Sequence, residues 1–197
     1  HGFVQATFLT GYDGTKAVYE AYRRGWREAG RGKDVPIDRL AYAALVYVGD
    51  TEAKGLAGAE KLLWYLTANK VPRHFAAPPG YAGVPAAVAM MKAAVTGGSP
   101  IGEHGNFGRP ITVAEAMQRG LCFAGTPDQV YKQIKKFYDY VGGFGHLLIM
   151  GQAGFLEHDE TVVGIRNFAR EVYPRLKAEY PGTRLSGVFE TAAAPAE

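Results

Sequence analysis

Hydrophobic residues follow two alternating rhythms along the chain. Short runs of β-forming residues at Phe3–Leu9, Leu40–Val48, Leu121–Ala124 and His146–Met150 are each followed by a stretch with apolar residues three or four apart. The first rhythm predicts strands and the second predicts amphipathic helices. After the first run, Asp13-Gly14-Thr15 starts a helix expected to turn Val18, Tyr22, Trp26 and Ala29 inward and to stop near Gly30 and Gly32. After the second, Asp50-Thr51-Glu52 opens a helix with Leu56, Ala59, Leu63 and Leu66 inward. The third helix has a complete start signal. Thr126 caps, Pro127 fits the first helical position, and Gln129 reaches back to close a capping box. Val130, Ile134, Phe137 and Val141 mark its buried face, and Gly142-Gly143 ends it. The last helix carries Val162, Ile165, Phe168, Val172 and Leu176. His146–Met150 is uniformly apolar after its histidine, which predicts a parallel strand buried on both faces. Four strand-helix units in succession predict an α/β protein.

An interruption over 71–119, rich in proline and glycine, separates the second unit from the third, with a short helix expected at Ala86–Ala94. Residues 1–180 read as one domain containing this insertion, and 181–197 as a disordered tail. Four units make half of an eight-stranded barrel or most of a small doubly wound sheet. The second option calls for a glycine-rich phosphate turn after its first strand, and Leu9-Thr10-Gly11-Tyr12-Asp13-Gly14 lacks that pattern. The expected fold is therefore the C-terminal half of a (β/α)8 TIM barrel. The chain opens on His1-Gly2-Phe3 and enters a strand at once, from which a piece of a longer protein is expected.

Composition narrows the function classes. The chain is 47% hydrophobic, enough for one sizeable core, and its net charge of +3 is spread over helix faces such as Lys132, Lys135, Lys136, Arg166 and Arg170. A nucleic-acid surface would cluster these charges, so no nucleic-acid partner is expected. No apolar run reaches bilayer length, so no membrane partner is expected either. The single cysteine, Cys122, lies in an apolar strand and fits a reducing, cytoplasmic setting. His1, His74, His104, His146 and His158 show no metal-ligand spacing, and no Ser-His-Asp or Cys-His arrangement is evident.

The chain resembles the C-terminal half of the bacterial luciferase-like, flavin-dependent monooxygenases. The resemblance rests on Gly125-Thr126-Pro127 opening a helix, on Gly142-Gly143 before the strand His146–Met150, and on the final pattern Asn167-Phe168-Ala169-Arg170-Glu171-Val172-Tyr173-Pro174-Arg175-Leu176. It extends upstream to His1-Gly2, Glu20-Ala21-Tyr22-Arg23 and Trp64-Tyr65. It implies a barrel enzyme that inserts oxygen into a small organic substrate with reduced FMN and O2, sometimes served by a flavin reductase. Some relatives use F420 and transfer hydride instead. It also implies that the serine/threonine turn and arginine holding the flavin phosphate precede His1, so this chain alone is expected to be inactive. The missing N-terminal half, or a homo-oligomer, is the expected partner.

Barrel enzymes place their chemistry at the carboxyl ends of strands. Phe8, Leu9 and Thr10 are the candidate cofactor-binding residues, because the resemblance sets Leu9 where some luciferases carry a tryptophan beside the flavin ring. Plain core packing is the competing reading. Trp64 and Tyr65 are candidates for the substrate pocket, and His74, His104 and Arg109 for a lid in the insertion. Gly125-Thr126 looks like a phosphate turn, yet the capping box occupies its amides, which favours a structural role. The catalytic residues stay unassigned and no metal is expected. A non-catalytic half-barrel that assembles with itself or with another half is the alternative. A sugar-phosphate isomerase or aldolase is disfavoured, since no lysine or acidic pair beyond Asp50 stands at a strand end.

Overall fold

The computed structural model describes residues 4–64, 111–153 and 155–181. Its strands are β1 (Gln5–Phe8), β2 (Leu40–Val48), β3 (Cys122–Gly125) and β4 (His146–Met150). Its helices are α1 (Gly11–Glu28), α2 (Glu52–Leu62), α3 (Val113–Gln118), α4 (Pro127–Val141), α5 (His158–Asn167) and α6 (Tyr173–Glu179), with a π-helical stretch at Phe168–Val172. All strand pairings are parallel, and each strand is followed by a helix, as the four-unit α/β reading expects.

The sheet is organised around β2, whose nine residues are all buried. β1 pairs with its first half (Gln5↔Leu40 to Phe8↔Ala43) and β3 with its second (Leu45↔Cys122 to Val48↔Gly125). Ala43 O accepts from Leu9 N and Leu45 N donates to Leu121 O, so β1 and β3 lie end to end along one edge. β4 takes the other edge, opposite Ala41–Leu45, where Leu40 O accepts from Gly145 N. This lateral order, with β4 beside β2, is not visible in the order of the elements along the chain.

Alternation along β2 divides the core in two. Tyr42, Ala44, Val46 and Val48 face a cluster with Tyr19, Phe123, Phe137, Phe168 and Val172. Leu45 and Tyr47 face a second cluster with Ala59, Leu62, Cys122 and Leu156. α4 buries the four residues its periodicity predicts, Val130, Ile134, Phe137 and Val141. Gly142, at φ 77°, ends it in the left-handed conformation that glycine adopts without penalty.

Three expectations are corrected. The buried face of α1 is Gly11, Thr15 and Tyr19, whereas Val18, Tyr22 and Trp26 are half-buried and Ala29 is exposed. Polar residues can take the inner face because they are satisfied there: the Tyr19 hydroxyl donates to Ala41 O at 2.8 Å, and Thr15 bonds Thr10 at 2.7 Å. In α2 the expected Ala59 and Leu63 are buried, but Leu56 is only half-buried and Gly55, Gly58 and Leu62 share the inner face, because the two glycines let the helix lie directly on Tyr47 and on the end of β3; Leu66 lies outside the described residues. β4 is not buried on both faces, since Leu148 is 48% and Ile149 39% exposed, and among the described strands β4 pairs with β2 alone. Ala86–Ala94, most of the 71–119 insertion and nearly all of the 181–197 tail lie outside the described residues. The end of the insertion forms α3, capped by Thr112.

Candidate active site

Two strand ends meet at the top of β2. Val48 stands opposite Gly125, and Gly49 N donates to Gly125 O at 2.9 Å. Three backbones touch here. A Cβ on Gly49 would lie 2.3 Å from Gly55 N, and one on Gly55 would lie 2.5 Å from Gly125 O. Such packing leaves no room for a ligand between β2, β3 and the start of α2. The Thr126 turn is closed as well. Thr126 Oγ1 accepts from Gln129 N, Gln129 Oε1 accepts from Thr126 N at 2.9 Å, and Pro127 has no N–H to offer. Asp128 at the same turn carries a negative charge, paired with Lys132 at 2.6 Å and Arg175 at 3.1 Å. The structural reading of Gly125-Thr126 therefore fits this geometry, and a phosphate does not.

Along the other edge, β4 stops at Met150, opposite Leu45 and three residues short of Val48. α5 fills the gap. Asn167 Nδ2 donates to Val48 O at 3.1 Å and to Asp50 Oδ1 at 2.9 Å. The Asn167 hydrogen bond, reinforced by Lys54, holds the Asp50 carboxyl below the usual range. Nearby, Lys61 holds the Glu160 carboxyl low in the same way, assisted by the Glu157 backbone N–H.

Between the end of β4 and the last helices lies a cleft of about 560 Å³. Ile149, Met150, Ile165 and Phe168 form its apolar wall, and Gln152 and Tyr173 are its polar groups. The helix that lines it is locally widened: Tyr173 N bonds Phe168 O, five residues back. Pro174 accounts for the widening, because it has no N–H for Arg170 O and its ring crowds that carbonyl. Such π-helical turns occur often where a helix borders a functional site. The sequence ends a strand at Met150, but nothing in a 3.6-residue period reveals the widened turn. Ile165, expected in the core, is 52% exposed at the cleft mouth.

The remaining sequence candidates fall elsewhere. Phe8 is 53% exposed, while Leu9 is buried in the left-handed region at φ 50°, which is uncommon for a non-glycine residue. Thr10 precedes α1 and bonds Thr15. These three sit at the level of Ala43, about 16 Å along β2 from Val48 at the ~3.3 Å rise of a parallel strand. They are not brought together with the upper strand ends. Trp64 lines a separate groove of about 340 Å³ with Ile111, Val113 and Phe155. Tyr65, His74, His104 and Arg109 lie outside the described residues. Burial pushes the Cys122 thiol up to about 12, so the thiolate is not available as a nucleophile at neutral pH. Among the described residues no group of His, Cys, Asp and Glu is arranged to hold a metal ion, and no helix is long and apolar enough to cross a membrane.

A family profile described as luciferase-like monooxygenase matches residues 2–143, well over half of the chain. The chain belongs to that family. Among solved structures it is similar to the monooxygenase RslO1 from Streptomyces bottropensis, at 15% identity and a TM-score of 0.53 over 89% of this chain and 42% of that one. It is also similar to the oxygenating constituent of 3,6-diketocamphane monooxygenase from the CAM plasmid of Pseudomonas putida, solved with FMN, at 19% identity and a TM-score of 0.51 over 86% of this chain. At these identities the likeness shows the fold. The chain spans 42% of the length of each of these two relatives. No curated protein matches it.

Proposed function

We propose that this chain forms the C-terminal half of a flavin-dependent monooxygenase, and that the cleft at the end of β4 is its share of the flavin and substrate site. The observation that supports this most is the cleft itself: an apolar wall with two polar groups, at the carboxyl end of β4, a parallel strand that among the described strands pairs with β2 alone. Reduced FMN, when bound, supplies the activation of O2 for transfer to a small organic substrate. In this reading Met150, Ile165 and Phe168 give the flat ring system an apolar wall and exclude water from it. The Gln152 amide and the Tyr173 hydroxyl orient the polar edge of the ring or the substrate. Phe8, Leu9 and Thr10 remain candidate cofactor contacts, approached from their own level of the sheet.

The residues fit the ring system and not the phosphate. Among the described residues the one turn that resembles a phosphate site is filled by its own capping box. This supports a phosphate site, and the remainder of the cavity, on barrel units outside this chain's described residues. The exposed Leu148 and Ile149 are the surface those units would cover. The test is to purify the protein with whatever it assembles with and titrate it with FMN, following flavin fluorescence. Saturable quenching is expected. Absence of FMN and F420 binding by the assembled protein would overturn the proposal. It would leave the second reading, self-association through the open edge of β4, as the explanation of the exposed apolar strand.

A further inference from the structure

Among the described α-helices only α6 buries no residue; Leu176 leans half-buried on the core. A helix of seven residues is not stable by itself. A row of polar contacts with α4 holds it in place. Arg175 pairs with Asp128 at 3.1 Å, and its guanidinium lies over the Tyr131 ring, 3.9 Å from the centroid. Glu179 accepts from the Tyr131 hydroxyl and pairs with Lys135 at 2.6 Å. Just past the helix, the Tyr180 hydroxyl accepts from Lys135 at 3.0 Å and donates to Asp139 at 3.1 Å. The Tyr180 ring lies on that of Tyr138, with centroids 3.9 Å apart. Lys135 is the centre of the row, and its hydrogen bond to Glu179, with those to Tyr180 and Asp139, holds its ammonium above the usual range. The other end of α6 is a hinge. The widened turn ends at Val172, whose φ is −101°, and Pro174 offers no N–H to Arg170 O, so the helical ladder is broken between α5 and α6. Tyr173, the first residue of α6, is also a wall of the cleft at the end of β4.

We infer that α6 is a latch on this cleft: the row on α4 holds it shut, and its release about the 172–174 hinge carries Tyr173 off the cleft and opens the way to Val46 and Phe168. These two residues line the cleft and are 3% and 7% exposed, so they form its floor. That the entrant is flavin or substrate rests on the function proposed above, whereas the motion does not. Release is set by charge. The paired side chains are 34–54% exposed, so salt screens them, while salt does not weaken the apolar packing of the core. Few buried contacts and exposed polar ones are what place a segment among the first to open.

Hydrogen exchange and thiol labelling of the full chain test the latch together. In about 1 M sodium chloride, where screening acts beyond about 3 Å, the amides of 175–179 should exchange faster while those of Leu40–Val48 keep their rates. Lys135→Met keeps most of the stem and removes the charge. It should speed exchange of α6 about tenfold at low salt and reduce the salt effect. Val46→Cys sets a thiol on the cleft floor, and the chain's one native cysteine, Cys122, is fully buried. Labelling of Val46→Cys by dithionitrobenzoate should quicken about tenfold when Lys135→Met is added, with an unchanged circular dichroism spectrum. Amides of α6 that exchange in step with those of β2, in both proteins and at both salt concentrations, would overturn the inference. Faster exchange in Lys135→Met without faster labelling would overturn it too, since the helix would then fray without opening the cleft. If both effects are present and the assembled protein binds no FMN, the flavin reading falls and the latch stands.

Discussion

Alanine at Gly58 and alanine at Gly25 should change stability in opposite directions, although both replace a glycine inside a helix. At Gly25 an added methyl meets nothing within 4 Å, so only the helix term acts. Replacing an interior glycine by alanine there stabilises by about 0.5–1 kcal/mol. At Gly58 the same methyl would stand 2.2 Å from Cε1 and 2.3 Å from Cδ1 of Tyr47. The ring cannot move aside. It is 5% exposed, Gly164 borders its opposite edge with a Cβ position 2.9 Å from Cε2, and its hydroxyl donates to Glu160 O at 3.0 Å. Overpacking of this kind costs about 1–3 kcal/mol. Displacing the ring also forfeits a hydrogen bond worth about 1 kcal/mol. Set against a helix gain of up to about 1 kcal/mol, the net loss for Gly58→Ala is about 1–3 kcal/mol. Urea unfolding followed by circular dichroism measures both variants. Tyr47→Leu in the Gly58→Ala background should recover part of the loss, because the clash and the ring disappear together. A Gly58→Ala protein as stable as Gly25→Ala would refute the clamped ring.

Two further outcomes follow from the edges and the charges. Gln133 covers the edge of β3 that no described strand pairs, its amide accepting from Ala124 N at 3.0 Å and donating to Ala124 O at 2.8 Å. Gln133→Leu should therefore cost about 1–3 kcal/mol in urea unfolding and raise light scattering, since an unplugged strand edge recruits other chains. Hydrogen bonds from Asn167, Lys132, Lys61 and Lys135 are the largest causes holding the carboxyls of Asp50, Asp128, Glu160 and Glu179 below their ordinary values of 3.8 for Asp and 4.5 for Glu. A carboxyl depressed in the folded state stabilises at pH above its unfolded value, and that contribution is lost as pH falls through the folded value. The urea midpoint should thus hold from pH 7 to 5 and fall below about pH 4. The fall should be shallow and reduced by salt, because these groups are exposed. A midpoint that rises on acidification would contradict the pairing.

What the sequence made legible was local. The capping box at Thr126, the stripe Val130–Ile134–Phe137–Val141 and the fully buried Leu40–Val48 strand depend on neighbours within one element, so a single period or motif reveals them. The missed features depend on partners far along the chain. Thr15 and Tyr19 face the core because Thr10 and Ala41 satisfy them, which inverts a prediction based on hydrophobicity. The cleft was read only as a strand end, because its far wall comes from a helix whose period changes before Pro174. The openness of β4 had no sequence signal, since Leu147–Met150 is as apolar as a covered strand would be.

On the proposed reading, the cleft at the end of β4 receives the flavin ring. FMN titration of the assembled protein, with Ile165→Glu measured beside the wild type, tests it most directly. Ile165 is exposed at the cleft mouth, so the substitution should leave the circular dichroism spectrum unchanged while bringing a charge against the apolar wall. The predicted result is saturable FMN binding by the wild type and at least tenfold weaker binding by Ile165→Glu. Flavin bound equally well by a folded Ile165→Glu protein would contradict the claim and move the ring away from this cleft.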